Sequence, residues 1–82
     1  MVKAIEIYGK KENLEKVCKK AWELENFGST CIDGNQLDVF VRDYTNAKGI
    51  VKLIDYAQEN SCYINVSTAN FIKAEYGIEN LE

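Results

Sequence analysis

The sequence predicts an α+β domain of the split βαβ type, with element order βαββαβ: a four-stranded antiparallel sheet, two helices on one of its faces and a short C-terminal helix. Apolar residues recur with a period of two at residues 2–8, 36–42 and 61–68, the repeat of half-buried strands. They recur with helical spacing over residues 11–26 and again up to about residue 60. Between the second and third strands stands Asp33-Gly34-Asn35, a tight-turn sequence that joins antiparallel neighbours. With 82 residues, no proline and no biased linker, the chain is expected to form one domain over residues 1–82, with its core in 2–68 and an extension in 69–82. A chain of this size buries roughly 60% of its unfolded surface, enough for one small core.

Residues 2–8 are rich in β-branched and aromatic side chains and stop at Gly9, so they read as a strand with Ile5 and Ile7 on the core face and Glu6 and Tyr8 on the other. In the first helix Leu14, Val17, Cys18, Ala21 and Leu24 share an arc, with Lys16, Lys19, Lys20 and Glu23 opposite. Glu12 with Lys16 and Glu15 with Lys19 have four-residue ion-pair spacing, and Gly28 is placed to stop the helix. Trp22 flanks the stripe and is expected at the edge of the core.

Residues 29–33 and 36–42 form the hairpin, with Leu37, Val39 and Val41 inward and Asp38, Phe40 and Arg42 outward. Asp43 or Thr45 is expected to cap the second helix, whose buried stripe is Ala47, Ile50, Val51, Ile54 and Ala57; Leu53 flanks it, and Gly49 and Tyr56 face water. Residues 61–68 read as the last strand, with Cys62, Ile64 and Val66 inward and Tyr63 and Asn65 outward. A helix over about residues 69–76, capped by Thr68 and ended by Gly77, follows. Short connections and right-handed crossovers then give the strand order 4-1-3-2.

This element order over residues 2–68 resembles the ferredoxin-like sandwich, a resemblance of architecture that implies no particular activity. Composition narrows the functions. A net charge of −3 disfavours nonspecific attraction to nucleic acid or anionic lipid. The basic groups gather early: residues 1–22 sum to +3 and residues 23–82 to −6. Lys10, Lys11, Lys16, Lys19 and Lys20 along the first helix read as a solvated face before they read as a site for an acidic partner.

There is no histidine, so Cys18, Cys31 and Cys62 have neither a neutral-pH base nor four-ligand metal spacing, and neither catalysis, a cofactor nor a metal is expected. No apolar run has the length of a signal peptide or membrane span, which points to a cytoplasmic protein with reduced cysteines.

Two helices cover one side of the sheet, so the other presents Tyr8, Phe40 and Tyr63 among Glu6, Asp38, Arg42 and Asn65. Aromatic residues are enriched at protein interfaces. The expected function is therefore a non-enzymatic protein-binding module, an adaptor or inhibitor, with Tyr8, Phe40 and Tyr63 as anchors and Glu6, Asp38 and Arg42 as rim. Its partner is expected to be another protein or a second copy.

Two further resemblances supply alternatives. RNA-recognition motifs are similar in architecture and stack bases on aromatics of the first and third strands, positions held here by Tyr8 and Phe40, although Glu6 and Asp38 would oppose phosphate. Regulatory domains of the ACT type resemble the same architecture, which implies an amino acid bound beside the loop after the first strand, between paired copies. Acylphosphatases also share it, but their arginine in that loop is replaced by Lys10 and Lys11. The acidic surface also permits mimicry of nucleic-acid phosphate.

Overall fold

In the computed structural model, which describes residues 3–79, the chain runs β1 (Ala4–Tyr8), α1 (Lys11–Leu24), β2 (Thr30–Asp33), β3 (Gln36–Phe40), α2 (Ala47–Glu59), β4 (Tyr63–Ile64) and α3 (Val66–Tyr76). Position 2 of the expected first strand and positions 80–82 of the extension lie outside the described residues. The four strands form one antiparallel sheet of order β2-β3-β1-β4, the split βαβ arrangement, with α3 added at its end.

The alternation read from the sequence sets the faces. Ile5 and Ile7 of β1 lie opposite Val39 and Leu37 of β3, and all four have no exposed surface. Against them pack Leu14, Val17 and Ala21 of α1 and Ile50, Leu53, Ile54 and Ala57 of α2. The β2–β3 hairpin turns through Gly34 and Asn35. Gly34 has φ +62°, the positive value at the first loop position that a Gly-X hairpin turn requires.

Several boundaries differ from the expectations. Helix α1 stops before Gly28: Glu25 takes the left-handed conformation (φ 52°), and its N–H bonds the Trp22 carbonyl. Gly28 instead donates to the Phe40 carbonyl at 2.7 Å, extending the hairpin. Neither Glu12–Lys16 nor Glu15–Lys19 is among the ion pairs of the described residues, which are Lys3–Glu75 and Lys73–Glu79.

The cap of α2 is Asn46, which accepts from the Gly49 N–H, rather than Asp43 or Thr45. In α2 Leu53 is inside with Ile50, Ile54 and Ala57, and Val51, expected in the stripe, is 37% exposed. Gly49 is buried rather than wet, because it lies against Asn26, whose side chain a Cβ there would overlap. Asn26 is itself buried and clasps both backbone groups of Asn46, at 3.0 and 3.2 Å. Tyr56 is half-buried against the core, with the Lys20 ammonium 5.3 Å from its ring centroid, and not free in water.

The largest departure is at residues 61–68. Only Tyr63 and Ile64 pair with β1; Asn65 then caps α3 by accepting from the Thr68 N–H at 2.8 Å, so Thr68 is inside the helix and is not its cap. Val66, expected inward, is 76% exposed. Helix α3 packs against β1 and inserts Ile72 into the core, and Gly77 closes it at φ +68°.

Candidate protein-binding face

Opposite the helices, side chains alternate out of β1 and β3 in register. Tyr8 lies across from Gln36 and Glu6 across from Asp38, while Ala4 faces Phe40. Cys31 and Asp33 of β2 continue the Asp38 and Gln36 rows. On the other side Tyr63 pairs with Tyr8, their rings stacked with centroids 5.7 Å apart and planes 24° from parallel. Tyr63 keeps 62% of its surface exposed, while Tyr8 is half-buried beneath it.

The turn into α3 fixes this pair. Asn65, whose Oδ1 caps the helix, directs Nδ2 to Tyr8 Oη at 3.0 Å and to Glu6 Oε1 at 3.2 Å. Tyr8 Oη in turn donates to Glu6 Oε1 at 2.9 Å. The Glu6 carboxylate accepting that proton, helped by burial and by the Glu6 and Asp38 charges, holds the Tyr8 phenol above its ordinary 10.0 against the opposing Asn65 bond.

Glu6 and Asp38 are directly opposed like charges, an arrangement that costs stability in an antiparallel pair. Local donors offset part of it: Tyr8 and Asn65 serve Glu6, and Gln36 Nε2 reaches Asp38 at 2.7 Å. Two basic residues that flank these strands are turned elsewhere. Lys3 bonds Glu75 at 2.9 Å and lies over the Phe71 ring, and Arg42 packs on Gly28.

Of the six residues expected at this face, the structure therefore brings Tyr8, Tyr63 and Glu6 into one network and sets Asp38 beside it. Phe40 stands half-buried, two residues along the strand from Asp38. Arg42 lies beyond the end of β3, on a cavity of about 430 Å³ shared with Lys3, Phe71, Glu75 and Tyr76. There the Tyr76 phenol is pushed up by burial and by Glu75, with Lys3 opposing. The extension, as α3, grips the edge of β1 and leaves Tyr63 uncovered.

The exposed aromatics Trp22 and Tyr44 were not legible as surface features. Trp22, expected at the core edge, is 66% exposed, with its indole Nε1 donating to Thr30 Oγ1 at 2.9 Å. Tyr44 is 59% exposed and anchored by its hydroxyl to the Phe27 carbonyl. Of the thiols, Cys18 is half-buried and bonds Thr30 Oγ1, Cys31 is exposed, and Cys62 is buried, which raises its pKa.

Among the described residues no group of three His, Cys, Asp or Glu side chains is arranged to hold a metal ion. No described helix is long and apolar enough to cross a membrane. Comparison with protein-family models, curated proteins and solved structures finds no significant match, so the reading of this face rests on its own geometry.

Proposed function

We propose that the chain is a non-catalytic protein-binding module, an adaptor or inhibitor, that engages its partner with the open face of the sheet. The observation that carries this reading is the opposed Glu6–Asp38 pair beside the exposed, stacked Tyr63. A rigid aromatic anchor orders few rotamers on binding. A lysine or arginine from a partner would relieve the carboxylate repulsion, so binding and local stability improve together. The partner surface that fits is apolar at its centre and basic beside it. Nucleic acid fits less well, because these carboxylates share the face with the aromatics.

Asp38→Asn is expected to stabilise the isolated protein by about 0.2–1 kcal/mol in urea unfolding, since it removes the like-charge pair. For binding, a photo-crosslinking side chain at Tyr63 should give discrete adducts in cells, lost on adding Phe40→Glu, whereas the same label at Lys52 on α2 should not. Equal adducts from both positions would remove the face from consideration. If Phe40→Glu unfolds the chain, Phe40 belongs to the core and its assignment to this face is wrong.

A second reading has one observation in its favour. Gly9, Lys10, Asn35, Ser61 and Tyr63 line a cleft at the loop after β1, where the ACT-type resemblance places an amino acid. A rise in melting temperature with a free amino acid supports it; no rise with any of them leaves the protein reading alone.

A further inference from the structure

The two faces of a strand are set by its side chains, but its two edges are set by its backbone, and the outer edge of β2 is unpaired. Ser29 accepts from the Phe40 N–H at 2.9 Å, and Cys31 and Asp33 face Asp38 and Gln36 across the hairpin. Alternation then turns the backbone groups of residues 29, 31 and 33 toward β3 and those of Thr30 and Ile32 away from the sheet. No other described strand meets them. Edges of this kind are commonly blunted by lysine, proline or a covering segment. The β2 sequence Thr-Cys-Ile-Asp contains neither lysine nor proline.

We infer that this edge is the seam of a homodimer, in which two copies pair β2 with β2 antiparallel about a two-fold axis at Cys31, making one continuous sheet. The edge is self-complementary in one register. With Cys31 opposite the partner's Cys31, Thr30 meets the partner's Ile32 and Ile32 the partner's Thr30, so every outward N–H and C=O of the two residues is bonded. Centring on Ile32 would set Thr30 against the turn residue Gly34 of the other copy. Centring on Thr30 would set Ile32 against Gly28, whose N–H is already given to Phe40.

Charge agrees with the same register. Asp33 is the single charged residue of β2 and stands at its end, so the two copies of Asp33 lie far apart, each across from a Ser29. Exposure agrees too. Trp22 is held at this edge by its bond to Thr30 and is 66% exposed, and a second copy would cover part of an indole that buries 150–250 Å² when fully enclosed, an order-of-magnitude figure of about two hundred. An extended segment of an unrelated protein would satisfy the backbone, but not this coincidence of symmetric register and separated charges.

The seam is made by the backbone edge and touches the open face only at its margin, through Cys31 beside Asp38, so it stands or falls separately from the Tyr63 anchor. If both hold, the dimer carries two Tyr63 anchors on one side of a continuous sheet and binds a repeated partner with avidity.

Sedimentation equilibrium of the wild type, Cys31→Lys and Tyr63→Glu tests the inference. The wild type and Tyr63→Glu should form a reversible dimer. Cys31→Lys should stay folded by circular dichroism, each ammonium meeting Asp38 across the hairpin, with dimerisation weakened roughly tenfold or more, because two long charged side chains then crowd the close pair at the axis. An unsubstituted readout accompanies it. The partners at a non-bonded antiparallel pair lie about 4.5 Å apart at Cα, within disulfide reach. Diamide should therefore oxidise two Cys31 thiols to one intermolecular disulfide, taking up their two protons and two electrons as it becomes the hydrazine, and peptide mass spectrometry should find Cys31 joined to Cys31. A wild type that is monomeric at every concentration overturns the inference. So does a dimer that survives Cys31→Lys but is lost in Tyr63→Glu, which would place self-association on the aromatic face.

Discussion

On the β4 side the sheet narrows to two paired residues and α3 takes over, whereas on the β2 side four residues run to a bare backbone edge. Glu6 shows how the first side is closed. Its N–H points past the end of β4 and finds Thr68 Oγ1 at 3.3 Å, a side-chain acceptor in the place of a further strand residue. Ile72, one turn on, is buried without exposed surface, and Lys3 ties the far end of β1 to Glu75. At β2 no other described strand meets the outward groups of Thr30 and Ile32, and Trp22, which bonds the Thr30 hydroxyl, lies mostly in solvent. The same sheet thus spends an entire helix on one edge and leaves the other available, which teaches that the open edge is not a consequence of small size alone.

The contrast predicts unequal costs for comparable substitutions. Ile72→Ala should cost about 2–5 kcal/mol in denaturant unfolding, the range for emptying a closed core site. A loss below that range would mean that α3 rests on the sheet without sealing it. Thr68→Val keeps the shape but removes the acceptor, and should cost about 1–3 kcal/mol with faster exchange of the Glu6 amide. An unchanged Glu6 amide would show that the hydroxyl is not what closes the edge.

On the open side, Trp22→Ala in the Cys31→Lys background should change stability by about 0.5 kcal/mol or less, as for an exposed position. A core-sized loss would restore Trp22 to the core edge and weaken the contrast. The smallest effect is a titration. Glu6→Gln should return the Tyr8 phenol toward its ordinary 10.0, read from its ring carbon shifts by NMR. Because the folded pKa is raised, the stabilisation from this bond is complete below the unfolded value near 10.0 and fades as pH climbs through the raised one. A Tyr8 titration unmoved by Glu6→Gln would separate it from the Asn65 network that begins the sealed side.

The sheet was legible because strict alternation leaves one choice of face: Ile5 with Ile7 and Leu37 with Val39 have no second arrangement that buries them. The hairpin signal at Gly34 then fixed the pairing, and chain-connection rules fixed the strand order. Tyr8, Phe40 and Tyr63 followed as outward residues for the same reason.

What escaped was decided by tertiary contacts. Cys62, Ile64 and Val66 alternate as a strand would, yet turning into a helix at Asn65 brings Ile72 into the core and gives Glu6 an acceptor, gains that local pattern does not contain. Asn65 and Thr68 at cap spacing are the sign the sequence offers for this turn, set against the alternation of Cys62, Ile64 and Val66. In α2, Leu53 displaced Val51 because Gly49 must seat on Asn26, a contact between residues distant in sequence. The exposure of Trp22 depends on how α1 overhangs β2, and periodicity fixes the arc of a helix but not the extent of the sheet beneath it.

Native-state hydrogen exchange of the Glu6, Thr30 and Ile32 amides, followed across protein concentration, tests the central contrast most directly. In dilute protein Glu6 should be protected while Thr30 and Ile32 exchange freely, and raising the concentration should slow Thr30 and Ile32 together, leaving Glu6 unchanged. Thr30 and Ile32 amides that are protected in the monomer, or unprotected at every concentration, would contradict the account of an open edge that a second copy closes.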